Sequence, residues 1–140
     1  MNGSPKKSIL LYIEDDDTAF FLFETALHEV DKGRIELVRA HNGEEALLQL
    51  QGSDSLPNPV RPDLILLDLN LPRKSGLEVL AELCGDADLS PIPVVIFSSS
   101  SLETDRVRSL ELGARAYIKK PLTFPSFVEA VRSACNWLQE

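Results

Sequence analysis

The sequence predicts an α/β fold in which a five-stranded parallel sheet is covered by helices on both faces. Strand-length apolar runs alternate with helix-period segments five times along the chain. Repeated βα units of that kind need right-handed crossovers, and these distribute the helices over both faces of the sheet. The runs themselves are apolar at every position, as in ILLYI at 9–13 and LILL at 64–67; strands buried on both faces read this way. A chain of 140 residues with 44% apolar and 26% charged residues is the length and mix of one ordinary globular domain.

Each element follows from local signals. The first strand, 9–13, is flanked by charge, and Asp16 or Asp17 then offers an N-cap to a helix whose Phe20, Phe23, Leu27 and Val30 recur at helical spacing until Lys32-Gly33 closes it. Residues 35–40 form the second strand and 44–50 a short helix; the segment 52–62, rich in Pro, Ser and Asn, is a surface loop. The third strand, 64–67, ends at Asp68, and the turn 70–76 leads into a helix at 77–83. Residues 92–97 are the fourth strand. Ser100 with Glu103 has the spacing of a capping box for a helix over 102–112, and Gly113 is placed to stop it. The fifth strand is 114–118, and the last helix runs from about Pro125 to the end. On that helix Phe127, Val131, Ala134, Cys135 and Leu138 share one apolar arc at ~100° per residue, with Ala130 and Trp137 at its margin.

Charge and cysteine content exclude several classes. Twenty-two acidic against fourteen basic residues give a formal charge of −8, which opposes binding to nucleic acid or to an anionic membrane. Two cysteines, Cys84 and Cys135, cannot build a disulfide framework or a four-ligand zinc site, and both sit in apolar helical patterns; they read as buried thiols of a reducing compartment. The apolar run after Lys6-Lys7 is too short for a signal-peptide core, and no stretch approaches the ~20 apolar residues of a membrane span. A cytoplasmic protein is expected.

Open parallel sheets hold ligands at the carboxyl ends of their strands. There this sequence puts Glu14 and Asp15, then Asp68, Ser98 and Lys120. Three carboxylates against one ammonium leave two net negative charges, a costly arrangement unless a cation offsets it. All the ligands on offer are oxygens, which favours Mg²⁺ or Mn²⁺ over zinc or copper. A carboxylate beside such an ion can attack a phosphoryl group while a lysine pairs with the charge that develops. The pattern reads as phosphoryl transfer onto an aspartate.

Glu14-Asp15 after the first strand, Asp68 within LLDLNLP, Ser98 within PVVIFSSS, and Lys120-Pro121 after Tyr117 together resemble the receiver domain of two-component response regulators. The likeness spans residues 8 to 138. It implies a flavodoxin-like (βα)5 sheet in the order 2-1-3-4-5, with residues 1–7 a tail and 8–140 the receiver, without a separate output domain. It also implies that Asp68 accepts a phosphoryl group from a phosphohistidine on a partner histidine kinase. Asp15 and Asp68 would ligate Mg²⁺, the Asn70 carbonyl would add a third oxygen, and Glu14 would act mostly through water. Ser98 and Tyr117 would be the switch pair, Lys120 the phosphate-binding lysine, and the Lys120–Pro121 bond would be cis.

Plainer readings stand beside these. Asp16 and Asp17 suit a solvated helix start, Ser100 and Ser101 a hydroxyl-rich loop, Tyr117 a packed aromatic, and His28 and His41 ordinary surface positions. A haloacid-dehalogenase-like phosphatase would use Asp15 as nucleophile, but the run Asp15-Asp16-Asp17-Thr18 misses its signature by one position and Asp68 would have no task. A receiver without attached output acts by binding a target, by passing its phosphoryl group to a histidine phosphotransfer protein, or by dimerising through the fourth helix, fifth strand and fifth helix. The 52–62 loop, the LNLPRKSG turn and the serine run are similar to response regulators that serve phytochromes, which implies a light-sensing kinase as donor.

Overall fold

A computed structural model describes residues 7–52 and 58–138. Most of the expected tail, the middle of the 52–62 loop and the last two residues lie outside that range. Five strands, β1 (Ser8–Ile13), β2 (Ile35–Ala40), β3 (Leu64–Leu67), β4 (Val94–Ser98) and β5 (Ala116–Lys119), alternate with α1 (Asp17–Val30), α2 (Gly43–Gln51), α3 (Gly76–Gly85), α4 (Glu103–Leu112) and α5 (Phe124–Cys135). All pairings are parallel and the order is β2-β1-β3-β4-β5, as the resemblance implies.

Alternation along the strands divides the core in two. Leu11, Ile13, Ile65, Leu67, Val94 and Ile96 face α2 and α3, where Ala46, Val79, Leu80 and Leu83 close over them. Leu10, Tyr12, Leu64, Leu66, Val95 and Phe97 face α1 and α5 and meet Phe23, Ala26, Phe127 and Val131. This second core is partly aromatic: Tyr12, Phe23, Phe97 and Phe127 are linked by ring-centroid distances of 4.7, 5.7 and 5.6 Å, a tilted or edge-on geometry that aromatic quadrupoles favour.

Several element ends depart from the sequence reading. β4 begins at Val94 because Pro93 has no N–H and contributes only its carbonyl, which accepts from Ile65 at 3.0 Å. β5 begins at Ala116 because the Ala114 N–H turns back to Ser109 O at 3.0 Å and closes α4. Gly113 does end that helix, with φ at 119°, and a Cβ there would meet Cys84 Sγ at 2.8 Å. The Ser100–Glu103 capping box does not form: Leu102 is the N-cap, Ser100 Oγ donates to Asp105 at 2.6 Å, and Glu103 is engaged by Arg106. The reciprocal box belongs instead to α3, between Ser75 and Glu78. α5 opens one residue earlier, at Phe124 with Thr123 as its N-cap, and stops at Cys135, so Trp137 lies beyond it, half-buried against the α1–α5 core.

The described residues contain no cis peptide, so the Lys120–Pro121 bond is trans, contrary to expectation. Trans is the ordinary minimum, and Lys120 N–H donates to Ser98 O at 2.7 Å. From that tether the side chain reaches the acidic cluster without a cis turn.

Candidate functional site

The order of the sheet reverses between β1 and β3, and open parallel sheets bind ligands at such a crevice. Glu14 continues β1 by donating its N–H to Ala40 O at 3.0 Å. Two residues along an extended chain share a face, and the Tyr12 hydroxyl donates to Glu14 Oε1 at 3.1 Å. The same oxygen accepts from Lys120 Nζ at 2.7 Å, and Oε2 accepts from the Asp16 N–H at 3.2 Å. Glu14 is only 1% exposed. Burial pushes its carboxyl above the usual range, against the pull of Lys120. Burial, reinforced by the charge of Glu14, also raises the Tyr12 hydroxyl far above its usual value, so Tyr12 acts as a donor.

Asp68 lies one step along, at the end of β3, with its N–H on Ile13 O at 3.2 Å. Its Oδ1 accepts from the Asn70 N–H at 3.3 Å, and Oδ2 stands 3.6 Å from Lys120 Nζ. The turn that follows is held close by Gly76. A Cβ at that position would meet Asp68 O at 2.4 Å and Leu69 Cα at 2.5 Å, so only glycine lets α3 start against the Asp68 backbone. Asp15 is exposed, and carboxylate oxygens of Glu14, Asp15 and Asp68 lie within 4.8 Å of one another. Hard oxygen donors, net negative charge and one solvent-facing member suit a divalent cation such as Mg²⁺ or Mn²⁺.

Ser98 is fully buried at the end of β4, and its Oγ accepts from the Ser100 N–H at 3.3 Å. Tyr117, half-buried, donates its hydroxyl to Ser100 O at 2.8 Å. The two expected switch residues are therefore joined through one residue, Ser100, which the sequence reading assigned to a plain loop. His28 and His41 are exposed, as read. The exposed, peripheral place of Asp15 and the central, buried place of Asp68 oppose the phosphatase alternative, which would make Asp15 the nucleophile and leave Asp68 without a task.

Besides Ser100, sequence reasoning missed Tyr12, Gly76 and Arg39. Arg39 donates from Nε to Glu14 O at 3.0 Å, pairs with Asp17 at 2.9 Å and lies 4.8 Å over the Phe20 ring, so it braces the acidic loop. The period of two in YIE at 12–14 carried a signal for Tyr12. Nothing local announced Arg39, which reaches the loop only through the Tyr12–Arg39 register of β1 and β2.

The family model for the response regulator receiver domain matches residues 10–132, and the chain belongs to that family: it is a receiver of the two-component type. Response regulator Rcp1 of Synechocystis sp. is 37% identical over 138 residues, covering 98% of this chain and 92% of that protein. The polar-differentiation response regulator DivK of Brucella anthropi is 36% identical over 127 residues, covering 91% of this chain and 94% of that protein. Among solved structures, the phosphorylated cyanobacterial phytochrome response regulator RcpA superposes with a TM-score of 0.86 at 36% identity, covering 94% of both chains. The Mn²⁺-bound form of Rcp1 gives 0.85 at 36% identity and covers 96% of both. The chain is thus related to phytochrome response regulators. Receivers are phosphorylated by histidine kinases. No helix among the described residues is long and apolar enough to cross a membrane.

Proposed function

We propose that Asp68 accepts a phosphoryl group from a phosphohistidine of a partner histidine kinase, with Mg²⁺ as the working cation, in the cytoplasm. The observation that carries this is the convergence of three carboxylates within 4.8 Å on an ammonium 3.6 Å from Asp68 Oδ2. An Asp68 oxygen attacks phosphorus, the P–N bond breaks and the imidazole departs with the electron pair. A bound Mg²⁺ would offset the acidic charge and hold a phosphoryl oxygen. Asp15, Asp68 and the Asn70 carbonyl would be its protein ligands, with Glu14 contributing through water. Lys120 pairs with the phosphoryl charge, and Ser98 Oγ turns to a phosphoryl oxygen. That turn removes the acceptor of the Ser100 N–H, disturbs the anchor of Tyr117, and so re-forms the surface of α4, β5 and α5.

The kinship with Rcp1 and RcpA supports a phytochrome-type kinase as donor. On the output face, Val107 and Leu110 of α4 and its N-cap Leu102 are exposed, which supports a dimer through α4, β5 and α5. Trp137 adds nothing to that face, since it covers the α1–α5 core.

Intact-protein mass after incubation with acetyl phosphate tests the central reading. The expected result is a Mg²⁺-dependent gain of one phosphoryl group that disappears in Asp68→Asn. No gain in the wild type would overturn it; a gain that survives Asp68→Asn and vanishes in Asp15→Asn would move the nucleophile to Asp15. Ser98→Ala is expected to gain the group yet leave the Tyr117 environment unchanged by fluorescence or NMR.

A further inference from the structure

We infer that Tyr12 is a positioning residue for phosphoryl transfer: its hydroxyl keeps the buried carboxylate of Glu14 in place when Lys120 leaves it for the phosphoryl group. The inference rests on the phosphoacceptor reading of Asp68. Glu14 Oε1 has two side-chain donors, Lys120 Nζ at 2.7 Å and Tyr12 OH at 3.1 Å. Nζ lies farther from Asp68, at 3.6 Å, so before transfer the lysine is engaged mainly by Glu14. Pairing with a phosphoryl group on Asp68 draws the ammonium away from Glu14. A carboxylate 1% exposed cannot turn to solvent for a substitute, and an oxygen left without a donor there is destabilised.

Tyr12 cannot follow the lysine. Its ring is fully buried and wedged against Phe23 at 4.7 Å, Phe20 at 5.9 Å and Phe97 at 6.1 Å. The hydroxyl is therefore a fixed donor, and it becomes the remaining side-chain donor to Oε1 among the described residues once Lys120 has moved. Glu14 then keeps its position beside Asp15 and Asp68. The energetic weight of Tyr12 should accordingly be small before transfer and large after it.

Tyr12→Phe removes the oxygen and retains the ring. Calorimetric titration with Mn²⁺ alone, then with beryllofluoride at saturating Mn²⁺ as a phosphoryl analogue, separates the two states. The expected result is a metal affinity within about threefold of wild type and a beryllofluoride affinity reduced about tenfold, the size of a lost hydrogen bond to a charged group. In a Glu14→Ala background the same substitution should cost nothing further, because the hydroxyl acts through Glu14. Equal losses for Mn²⁺ and beryllofluoride, or a loss that persists in the Glu14→Ala background, would show a general packing role and overturn the inference. Unchanged beryllofluoride binding by Tyr12→Phe, with normal binding by the wild type, overturns this inference alone. A wild-type chain that binds no beryllofluoride overturns the phosphoacceptor reading and this inference with it.

Discussion

Burial separates the roles of the three acids at the sheet edge. Glu14 and Asp68 are inside and hydrogen-bonded, whereas Asp15 is exposed, so Asp15 can be neutralised without opening a buried gap. Asp15→Asn is expected to weaken Mn²⁺ binding at least tenfold, while the metal-free melting temperature stays level or rises as like-charge repulsion falls; titration calorimetry and thermal melting check the two halves. Cys135 gives a second test. Burial, aided by the nearby charge of Asp31, pushes its thiol up to about 11 from an ordinary value of 9.0. Folding favours the protonated thiol, so its contribution to stability is complete below pH 9 and is lost as pH rises through about 11. Urea unfolding across that window should show a decline that is visibly smaller in Cys135→Ala.

At the level of elements, the entry of α3 decides where Asp68 points. Ser75 caps the helix, Glu78 returns the favour to the Ser75 N–H, and Gly76 allows the first turn to press on the Asp68 backbone. Gly76→Ala is expected to cost about 1–3 kcal/mol, the range for a side chain forced into filled space, and to weaken metal binding as the loop is displaced. Gly85, in the same helix, has nothing within 4 Å of where a Cβ would go; Gly85→Ala should be neutral or stabilising by up to about 1 kcal/mol. Chemical denaturation of the pair reads the difference. The α4 start shows the limit of such local rules. Ser100 and Glu103 have the spacing of a box, yet Tyr117 holds the Ser100 carbonyl and Asp105 takes its hydroxyl, and these tertiary partners override the local motif.

Across the whole molecule, two cores hold the sheet rigid while its carboxyl edge gathers like charges from strands that are distant in sequence. A cation that binds only the folded edge must stabilise the entire domain. At a hundredfold excess over its dissociation constant the gain is about 2.7 kcal/mol, which for a domain of this size raises the melting temperature by roughly 10 °C. Mg²⁺ should produce this rise, chelator should reverse it, and Asp15→Asn should blunt it. Dimerisation through α4, β5 and α5 belongs to the same scale: light scattering with beryllofluoride and Mg²⁺ should show the mass doubling, and a monomer at high concentration in both states would exclude it.

The fold class and the members of the acidic cluster were legible in the sequence, for a physical reason. Strands buried on both faces must be apolar throughout, and polar residues tolerated at their ends stand out against that background, as Glu14, Asp68, Ser98 and Lys120 do. What each residue holds was legible only in part. Tyr12 and Glu14 are two apart, so their shared face was there to be read, but that a tyrosine oxygen reaches the carboxylate depends on how Phe20, Phe23 and Phe97 set its ring. Arg39 reaches Glu14 across 25 residues through the register of the neighbouring strands β1 and β2, and Lys120 across 106 residues from the end of β5, with β3 and β4 between. Periodicity and capping are local, whereas hydrogen bonds between strand ends are decided by packing. The sequence by itself therefore determined which chemical groups meet at the sheet edge, and the tertiary structure decided which partner each of them holds.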